Sequence, residues 1–209
     1  MIKLEHTEVY GWEAAIRGMR NPLNSWDKSD SAFRMNRHMA LEIDFIGAND
    51  LKLMKQLSKA GSDHGKFLRY INVTVDITAP LYWWKEYDTY KVGTVANSCS
   101  TMHKIQAKEF THDDFSREHL TDGSMDVLSD IIYNLNYYRE QFLKTKVKAY
   151  WWQMIQLLPT SYNQKRTVQL NYQVLKTMYH ARKNHKLNEW HDFCDWCESL
   201  PYFKNICLS

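Results

Sequence analysis

Two polar residues, Asn171 and Arg182, carry the clearest chemistry in the chain, because the surrounding pattern predicts that both are buried. At about 100° per residue, residues 161–184 sort into a helix whose apolar face includes this pair. A buried amide and a buried guanidinium must find hydrogen-bond partners. The planar fork of arginine suits phosphate or carboxylate. The pair therefore predicts either a salt bridge between elements or a site for a ligand with anionic and hydrogen-bonding groups.

Small and hydroxyl-bearing side chains dominate residues 94–100 (TVANSCS), which follow Gly93. Such a segment can present backbone N–H groups and hydroxyls to an anion. It is equally typical of a plain turn. We therefore interpret it as a candidate anion-binding loop, with turn chemistry as the alternative.

His191, Cys194 and Cys197 have the composition of a zinc site. At spacings of three residues they spread over about 120° of a helix, and the sequence has no second cysteine pair with this spacing. This pattern favours core packing. The two Trp-Trp pairs are also interpreted as core, because a channel for single-stranded nucleic acid would carry more positive charge beside its aromatic rings.

The composition limits the classes of protein to consider. A chain of 209 residues with 44% hydrophobic residues suits one domain, 1–209, with a helical lobe at about 124–200. The net charge of +3 permits an anionic small molecule and argues against a partner that is a nucleic-acid polymer. We recognise no signal peptide and no apolar run that could span a bilayer, so we expect no membrane partner. Four cysteines require no disulfide framework, which predicts a reduced, cytoplasmic protein.

The elements that must position these residues follow from periodicity. Residues 71–78 alternate apolar and polar side chains and give the clearest strand. A helix capped by Asn49 or Asp50 is expected to end at Gly61, and residues 31–46 are ambiguous between helix and strand. The other predicted elements are a strand at 2–9 and helices at 12–19, 81–91, 124–146, 150–158, 161–184 and 187–200. Together they predict an α+β fold, with a small antiparallel sheet packed on helices and a largely helical C-terminal half.

Two blocks of the chain resemble the flavin-dependent thymidylate synthases. In the first, the strand at 71–78 ends in Ala79-Pro80 and leads into an aromatic helix and the 94–100 segment. The family has Ala-Pro at the same place, then a Gln-x-x-Arg-His-Arg run and an Asn-Glu-x-Ser loop. In the second, Leu158-Pro159 is followed by Asn171 and Arg182 at the spacing of the family's Asn and Arg.

The tail at 180–190 (HARKNHKLNEW) is similar to the family's Arg-x-x-x-His-x-Gln-Trp-Glu segment, with one inserted residue near His185. The resemblance covers roughly residues 49–104 and 150–200. It implies a fold like that of the thymidylate synthase complementing proteins.

The sequence departs from the family at the basic run. Thr89-Tyr90-Lys91 replaces Arg-His-Arg, and Glu86 replaces the preceding Gln. Only Lys91 keeps a charge in a run that in the family grips flavin and nucleotide phosphates. Cys99 falls at the family's substrate-binding serine, and a shift of one residue would place Ser98 or Ser100 there.

The resemblance implies a role for each matched position. Arg182 would contact and polarise the pyrimidine as the catalytic residue, and Asn171 would contact the flavin. The implied substrate-phosphate contacts are Lys91, Ser98, Cys99 and Ser100. The other implied cofactor contacts are Glu86, Thr89, Tyr90, Arg69 and His185.

The resemblance implies an enzyme that methylates dUMP, or a related pyrimidine nucleotide, at C5. The family uses FAD, takes methylene-tetrahydrofolate as co-substrate, and works as a homotetramer with sites between subunits. The alternative is a non-catalytic nucleotide-binding or assembly protein that kept the fold and lost the flavin chemistry. The lost Arg-His-Arg run favours the alternative, whereas Asn171 and Arg182 favour the enzyme.

Overall fold

The computed structural model describes residues 2–35 and 41–209. The larger of the two sheets has four strands. Its strands are β1 (Lys3–Tyr10), β4 (Asn72–Pro80), β5 (Val95–Ser98) and β6 (Asn163–Asn171). They lie in the order β1-β4-β6-β5. A separate antiparallel pair joins β2 (Ala32–Met35) to β3 (Leu41–Phe45). The predicted α+β class, with a small antiparallel sheet and a largely helical C-terminal half, is confirmed.

Eight α-helices complete the described part of the chain. They are α1 (Trp12–Arg20), α2 (Ala48–Lys59), α3 (Leu81–Tyr87), α4 (Asp122–Thr145), α5 (Lys148–Leu157), α6 (Tyr172–Arg182), α7 (Asn188–Ser199) and α8 (Phe203–Cys207). Within residues 2–35 and 41–209, no helix is long and apolar enough to cross a membrane.

The chain divides into two compact units. Of the described residues, unit 1 comprises 2–3, 76–89 and 97–167, and unit 2 comprises 4–35, 41–75, 90–96 and 168–209. Strands β4 and β6 contribute residues to both.

The core of unit 1 forms around α4 and α5. Leu128, Ile132 and Leu135 recur at helical spacing on α4 and are buried, together with Met154 on α5. The loop before α4 is held by Asn136, whose amide oxygen accepts from the Phe110 amide (2.8 Å). Its amide nitrogen donates to the Phe110 carbonyl (2.9 Å). A polar side chain inside this helix thus satisfies the backbone of a neighbouring loop.

The core of unit 2 includes an aromatic cluster that fixes the start of α6. Tyr172, the first residue of α6, is fully buried, and its ring meets Trp12 and Phe203 edge to face at 5.4 Å each. Its hydroxyl donates to the Pro201 carbonyl (2.7 Å), and its amide donates to the Ile71 carbonyl (3.0 Å). The N-terminal end of α6 is therefore anchored on several elements of the unit.

The single helix predicted over 161–184 is wrong. The segment forms β6 up to Asn171 and then α6. Val168 and Leu170 are buried and alternate with the exposed Thr167 and Gln169, which is the two-residue period of a strand. Asn171 does not lie inside a helix. It is the N-cap of α6, where its Oδ1 accepts from the Val174 amide (3.1 Å).

Two other boundaries differ from expectation. The predicted cap of α2 by Asn49 or Asp50 is wrong, because α2 already begins at Ala48 and Asp30 accepts from both amides (2.9 and 3.0 Å). The ambiguous stretch 31–46 contains β2 and β3, and its residues 36–40 lie outside the described chain. The strand predicted at 71–78 and the helices predicted at 150–158 and 187–200 are confirmed as β4, α5 and α7.

The zinc-like residues separate in the structure. Cys194 and Cys197 are buried on α7, and His191 is exposed, with its Nε2 2.7 Å from the His185 carbonyl. In the part of the chain that the structure describes, no three His, Cys, Asp or Glu side chains are grouped to hold a metal.

Candidate functional site

Arg182 is the best-defined candidate residue in unit 2. It ends α6, and its Nε donates to the Tyr90 hydroxyl at 2.9 Å. The guanidinium carbon lies 4.9 Å from the centre of the Trp190 ring and 5.4 Å from that of Tyr90. Both distances are within the range of cation–π attraction, which orients the cation against the ring faces. Arg182 is half-buried, so its position is set by neighbours rather than by solvent.

Trp190 organises the residues around Arg182. It is fully buried on α7, and its ring lies 6.3 Å from Tyr90 and 6.3 Å from His185. His185 accepts at Nδ1 from the Leu187 amide (3.2 Å), which fixes the ring at the entrance to α7. Three residues that the sequence singled out, Tyr90, Arg182 and His185, are thus brought together around a tryptophan that was not among the predicted site residues. The Trp of the tail motif was the signal that could have identified it.

The segment after Tyr90 runs beside the start of α6. Gly93 has a φ of +79°, and a Cβ placed on it would lie 3.1 Å from Val174 Cγ2 and 3.6 Å from Asn171 Nδ2. The Thr94 hydroxyl donates to the Tyr90 carbonyl (2.9 Å) and closes the turn. Asn171 therefore borders this loop with its amide nitrogen while its oxygen caps the helix. Lys91 is exposed on the same loop.

Arg69 belongs to a different element of unit 2. It ends a 3-10 turn (Gly65–Arg69) before β4 and is exposed.

A second candidate location lies in unit 1, where Cys99 and Ser100 line a cavity of about 250 Å³. The Cys99 amide donates to the Lys165 carbonyl (2.9 Å), and its carbonyl accepts from Gln164 Nε2 (2.8 Å). The Ser100 hydroxyl accepts from the His103 amide (2.9 Å). Ser98 ends β5 and is exposed.

The rest of the cavity wall was not predicted from the sequence. It includes hydroxyl, amide, ammonium and carboxylate groups, from Thr78, Thr101, Lys108, Asp113, Asp114, Tyr162, Asn163 and Lys165. These positions are far apart in the chain and match no short motif. Only folding brings them beside Cys99 and Ser100.

The charged groups of this cavity are partly compensated. A hydrogen bond from Lys108 to Asp114 raises the pKa of Lys108, so the ammonium form is favoured. Lys165 is paired with Asp76 at 2.9 Å. Burial raises the pKa of Tyr162, which keeps its hydroxyl protonated as a donor. Protonated amines and neutral hydroxyls are the donors that a phosphate group needs.

Solved structures match this chain over nearly its whole length. Thymidylate synthase X from Helicobacter pylori, solved with FAD and dUMP, aligns with a TM-score of 0.70 at 14% identity, covering 99% of this chain and 97% of that one. A second structure of the Helicobacter pylori enzyme with FAD and dUMP gives 0.68 at 14% identity and the same coverage. The UMP/dUMP methylase PolB from Streptomyces cacaoi, bound with 5-Br dUMP, gives 0.60 at 12% identity, covering 95% of this chain and 88% of that one. The chain has the fold of the flavin-dependent thymidylate synthases. No family model and no curated protein sequence matches it.

Thr89-Tyr90-Lys91 stand at the position where the family has the Arg-His-Arg run that holds FAD. In unit 1, Thr89 is exposed and its hydroxyl donates to the Glu86 carbonyl (2.7 Å). In unit 2, the Tyr90 hydroxyl accepts from Arg182. The hydroxyls that stand where an arginine and a histidine were expected are thus engaged within the chain. With Lys91 as its one cation, the run does not fit the diphosphate of FAD in the way the resemblance implies.

Proposed function

We propose that the protein binds a pyrimidine nucleotide of the dUMP type and methylates its ring at C5 as a flavin-dependent enzyme. One observation carries the proposal. Arg182 is held in a defined orientation by Tyr90 and Trp190, in a chain whose fold aligns with enzymes solved with FAD and dUMP.

The roles proposed for the chain's residues are binding and orientation. A guanidinium fixed near a pyrimidine donates to its ring oxygens and stabilises negative charge that develops there. Arg182 is assigned this role, and Asn171 and His185 are assigned contacts to the ring system of the cofactor. The proposed phosphate contacts are Lys91, Ser98, Cys99 and Ser100.

Flavin and folate enter the proposal as partners of the reaction. FAD would supply redox chemistry, and methylene-tetrahydrofolate would supply the one-carbon group. Because the basic run does not fit the FAD diphosphate, no step is assigned to the flavin. We also propose a homotetramer and a cytoplasmic location, which the resemblance and the reduced cysteines support. Sedimentation of the purified protein tests the tetramer.

Two measurements test the proposed function. Thermal unfolding is recorded with dUMP, with dCMP and with FAD, because a ligand that binds the folded state stabilises it, by about 2.7 kcal/mol at a hundred times its Kd. Product formation is then assayed by chromatography with dUMP, FAD, NADPH and methylene-tetrahydrofolate. We expect dUMP to raise the Tm and thymidylate to form, and Arg182→Ala to lose both. A wild-type protein that no pyrimidine nucleotide stabilises contradicts the proposal.

A second candidate function is nucleotide binding without catalysis. The run Thr89-Tyr90-Lys91 favours it, because neither Thr89 nor Tyr90 carries a charge and the Thr89 hydroxyl already donates within the chain. Stabilisation by dUMP, with no stabilisation by FAD, no visible flavin absorption and no product, is the result that would select this candidate.

A further inference from the structure

We infer that Tyr90 is a positioning residue, which fixes the plane of the Arg182 guanidinium so that the arginine meets its ligand already oriented. The inference rests on the proposed function and adds to it. The resemblance implied a cofactor contact at position 90, whereas the contacts in unit 2 point to a partner inside the chain.

The hydrogen bond at Nε is one contact that sets the orientation of the guanidinium. Nε lies on the stem side of the guanidinium, so a bond from it to the Tyr90 hydroxyl at 2.9 Å restrains rotation of the whole plane. The Trp190 ring, 4.9 Å from the guanidinium carbon, restrains it from a second side. An arginine ordered in this way before a ligand arrives does not lose that rotamer freedom on binding.

Tyr90 is itself held in place within unit 2. Its ring meets the fully buried Trp190 ring edge to face, at 6.3 Å and 68°. Its carbonyl accepts from the Thr94 hydroxyl (2.9 Å). Gly93 rests against the first turn of α6, the helix that ends in Arg182. The donor Arg182 and the loop that carries the acceptor Tyr90 are therefore both held by α6. This packing fixes the distance between Nε and the Tyr90 hydroxyl.

A double-mutant cycle tests the inference. Tyr90→Phe removes the hydroxyl and keeps the ring, and Arg182→Lys keeps the charge and removes Nε. We expect Tyr90→Phe to weaken dUMP binding about fivefold to tenfold by calorimetry, with a Tm close to that of the wild type. In the Arg182→Lys background the same change should have little further effect, because the Nε–H donor and the guanidinium plane that it orients are already absent. Tyr133→Phe is the matched control, since Tyr133 is 73% exposed.

Two results would overturn the inference. One is unchanged dUMP affinity in Tyr90→Phe. The other is an equal loss of affinity in the Arg182→Lys background, which would show that Tyr90 acts by another route.

A measurement without any nucleotide separates this inference from the proposed function. In protein labelled with ¹⁵N-arginine, the Nε–H proton of Arg182 should exchange with water several times faster in Tyr90→Phe than in wild type. Faster exchange in a protein that does not bind dUMP would sink the proposed function and leave the positioning contact standing. Equal exchange rates would refute the positioning contact itself.

Discussion

Arg20 and Arg182 are two arginines of the same unit that are withdrawn from water and held by different chemistry. Arg20 is 4% exposed, and its three nitrogens donate to Asp50 Oδ1 (2.7 Å), to the Ser25 carbonyl (3.0 Å) and to the Lys28 carbonyl (3.0 Å). Arg182 is half-buried against the faces of two aromatic rings. Hydrogen bonds to carbonyls use the edge of a guanidinium, whereas ring stacking uses its faces. The comparison sets a structural arginine, Arg20, beside an arginine that we propose binds the ligand, Arg182.

The Arg20 site is built as a closed network. Asp50 is fully buried and accepts from the hydroxyls of Ser29 and Ser31 (2.8 and 2.7 Å) and from the amides of Asp30 and Ser31 (3.1 Å each), in addition to Arg20. These bonds tie residues 25–31 to α2. Both charges are compensated, so the cost of their burial is offset by their own partners.

The largest effect is expected when this network is opened. Asp50→Ala would leave a buried guanidinium without its carboxylate and should lower the free energy of unfolding by about 3–5 kcal/mol in urea titrations. The matched control is Glu13→Ala, which breaks an exposed pair with Arg17 (3.6 Å) and should cost less than about 1 kcal/mol. Equal costs for the two variants would contradict the structural role of the Arg20 network.

Arg182→Ala should affect ligand binding more than it affects stability. Loss of a charged hydrogen-bonding group should weaken dUMP binding about tenfold to a hundredfold by calorimetry. Its effect on unfolding should be smaller than that of Asp50→Ala, because the aromatic rings can close over a small side chain. If Arg182→Ala unfolds the protein as readily as Asp50→Ala, the distinction between the two arginines is lost.

Gly47→Ala probes the packing beside the Arg20 network. A Cβ at Gly47 would come within 2.2–2.3 Å of Asp30, which accepts from the first amides of α2. We expect a loss of about 1–3 kcal/mol in unfolding free energy. Gly123→Ala is the control, since nothing lies within 4 Å of its Cβ, and it should be neutral or slightly stabilising. A neutral Gly47→Ala would show that Asp30 can move without cost.

Protonation of Asp50 at low pH should weaken the Arg20 network. Burial acts to raise the pKa of Asp50, but hydrogen bonds from Ser31, Ser29 and Arg20 outweigh it and hold the pKa below the ordinary 3.8. A carboxyl whose folded-state pKa is depressed stabilises the fold above its unfolded-state pKa. That contribution is lost as the pH falls through the folded value.

Urea titrations from pH 6 to about pH 2 test this. The wild type should lose stability more steeply below the ordinary pKa than Asp50→Asn, which has no carboxyl to protonate at this position. Parallel curves for the two proteins would show that Asp50 does not contribute to acid unfolding.

The smallest effect on stability is expected at the cysteines, whose exposure to solvent differs between the two units. Cys99 of unit 1 is exposed, whereas Cys194, Cys197 and Cys207 of unit 2 are buried. Burial raises the pKa of Cys194 to about 11 and that of Cys207 to about 12, and raises that of Cys197 well above its ordinary value. A disulfide reagent should therefore titrate one thiol in the native protein and four in denaturant, and Cys99→Ser should remove the fast one. More than one fast thiol in the native protein would contradict this burial.

The candidate site could be predicted from the sequence only where its residues follow a motif. Asn171 and Arg182 were found as polar residues on the apolar face of a predicted helix and, with His185, through spacing that resembles a known family. The structure places Arg182 and His185 around Trp190. Lys108 and Tyr162 belong to the Cys99 cavity but come from unrelated parts of the chain, so no local pattern marks them. The role inferred for Tyr90 depends on its contact with Arg182, and that of Asn171 depends on where β6 ends. Local sequence specifies neither.

Local side-chain periodicity determined β4, α4 and α5. In each of these segments the apolar residues recur at the period of one secondary structure, so one face is buried. At residues 161–184 it predicted one helix, which is wrong, because the first half of the segment forms β6. A strand's hydrogen bonds are completed by its neighbours, so the choice of β6 depended on the sheet order β1-β4-β6-β5 rather than on the segment itself. Once β6 formed, Asn171 became a helix cap and Arg182 a residue held by aromatic rings, and only the tertiary structure could assign those two positions.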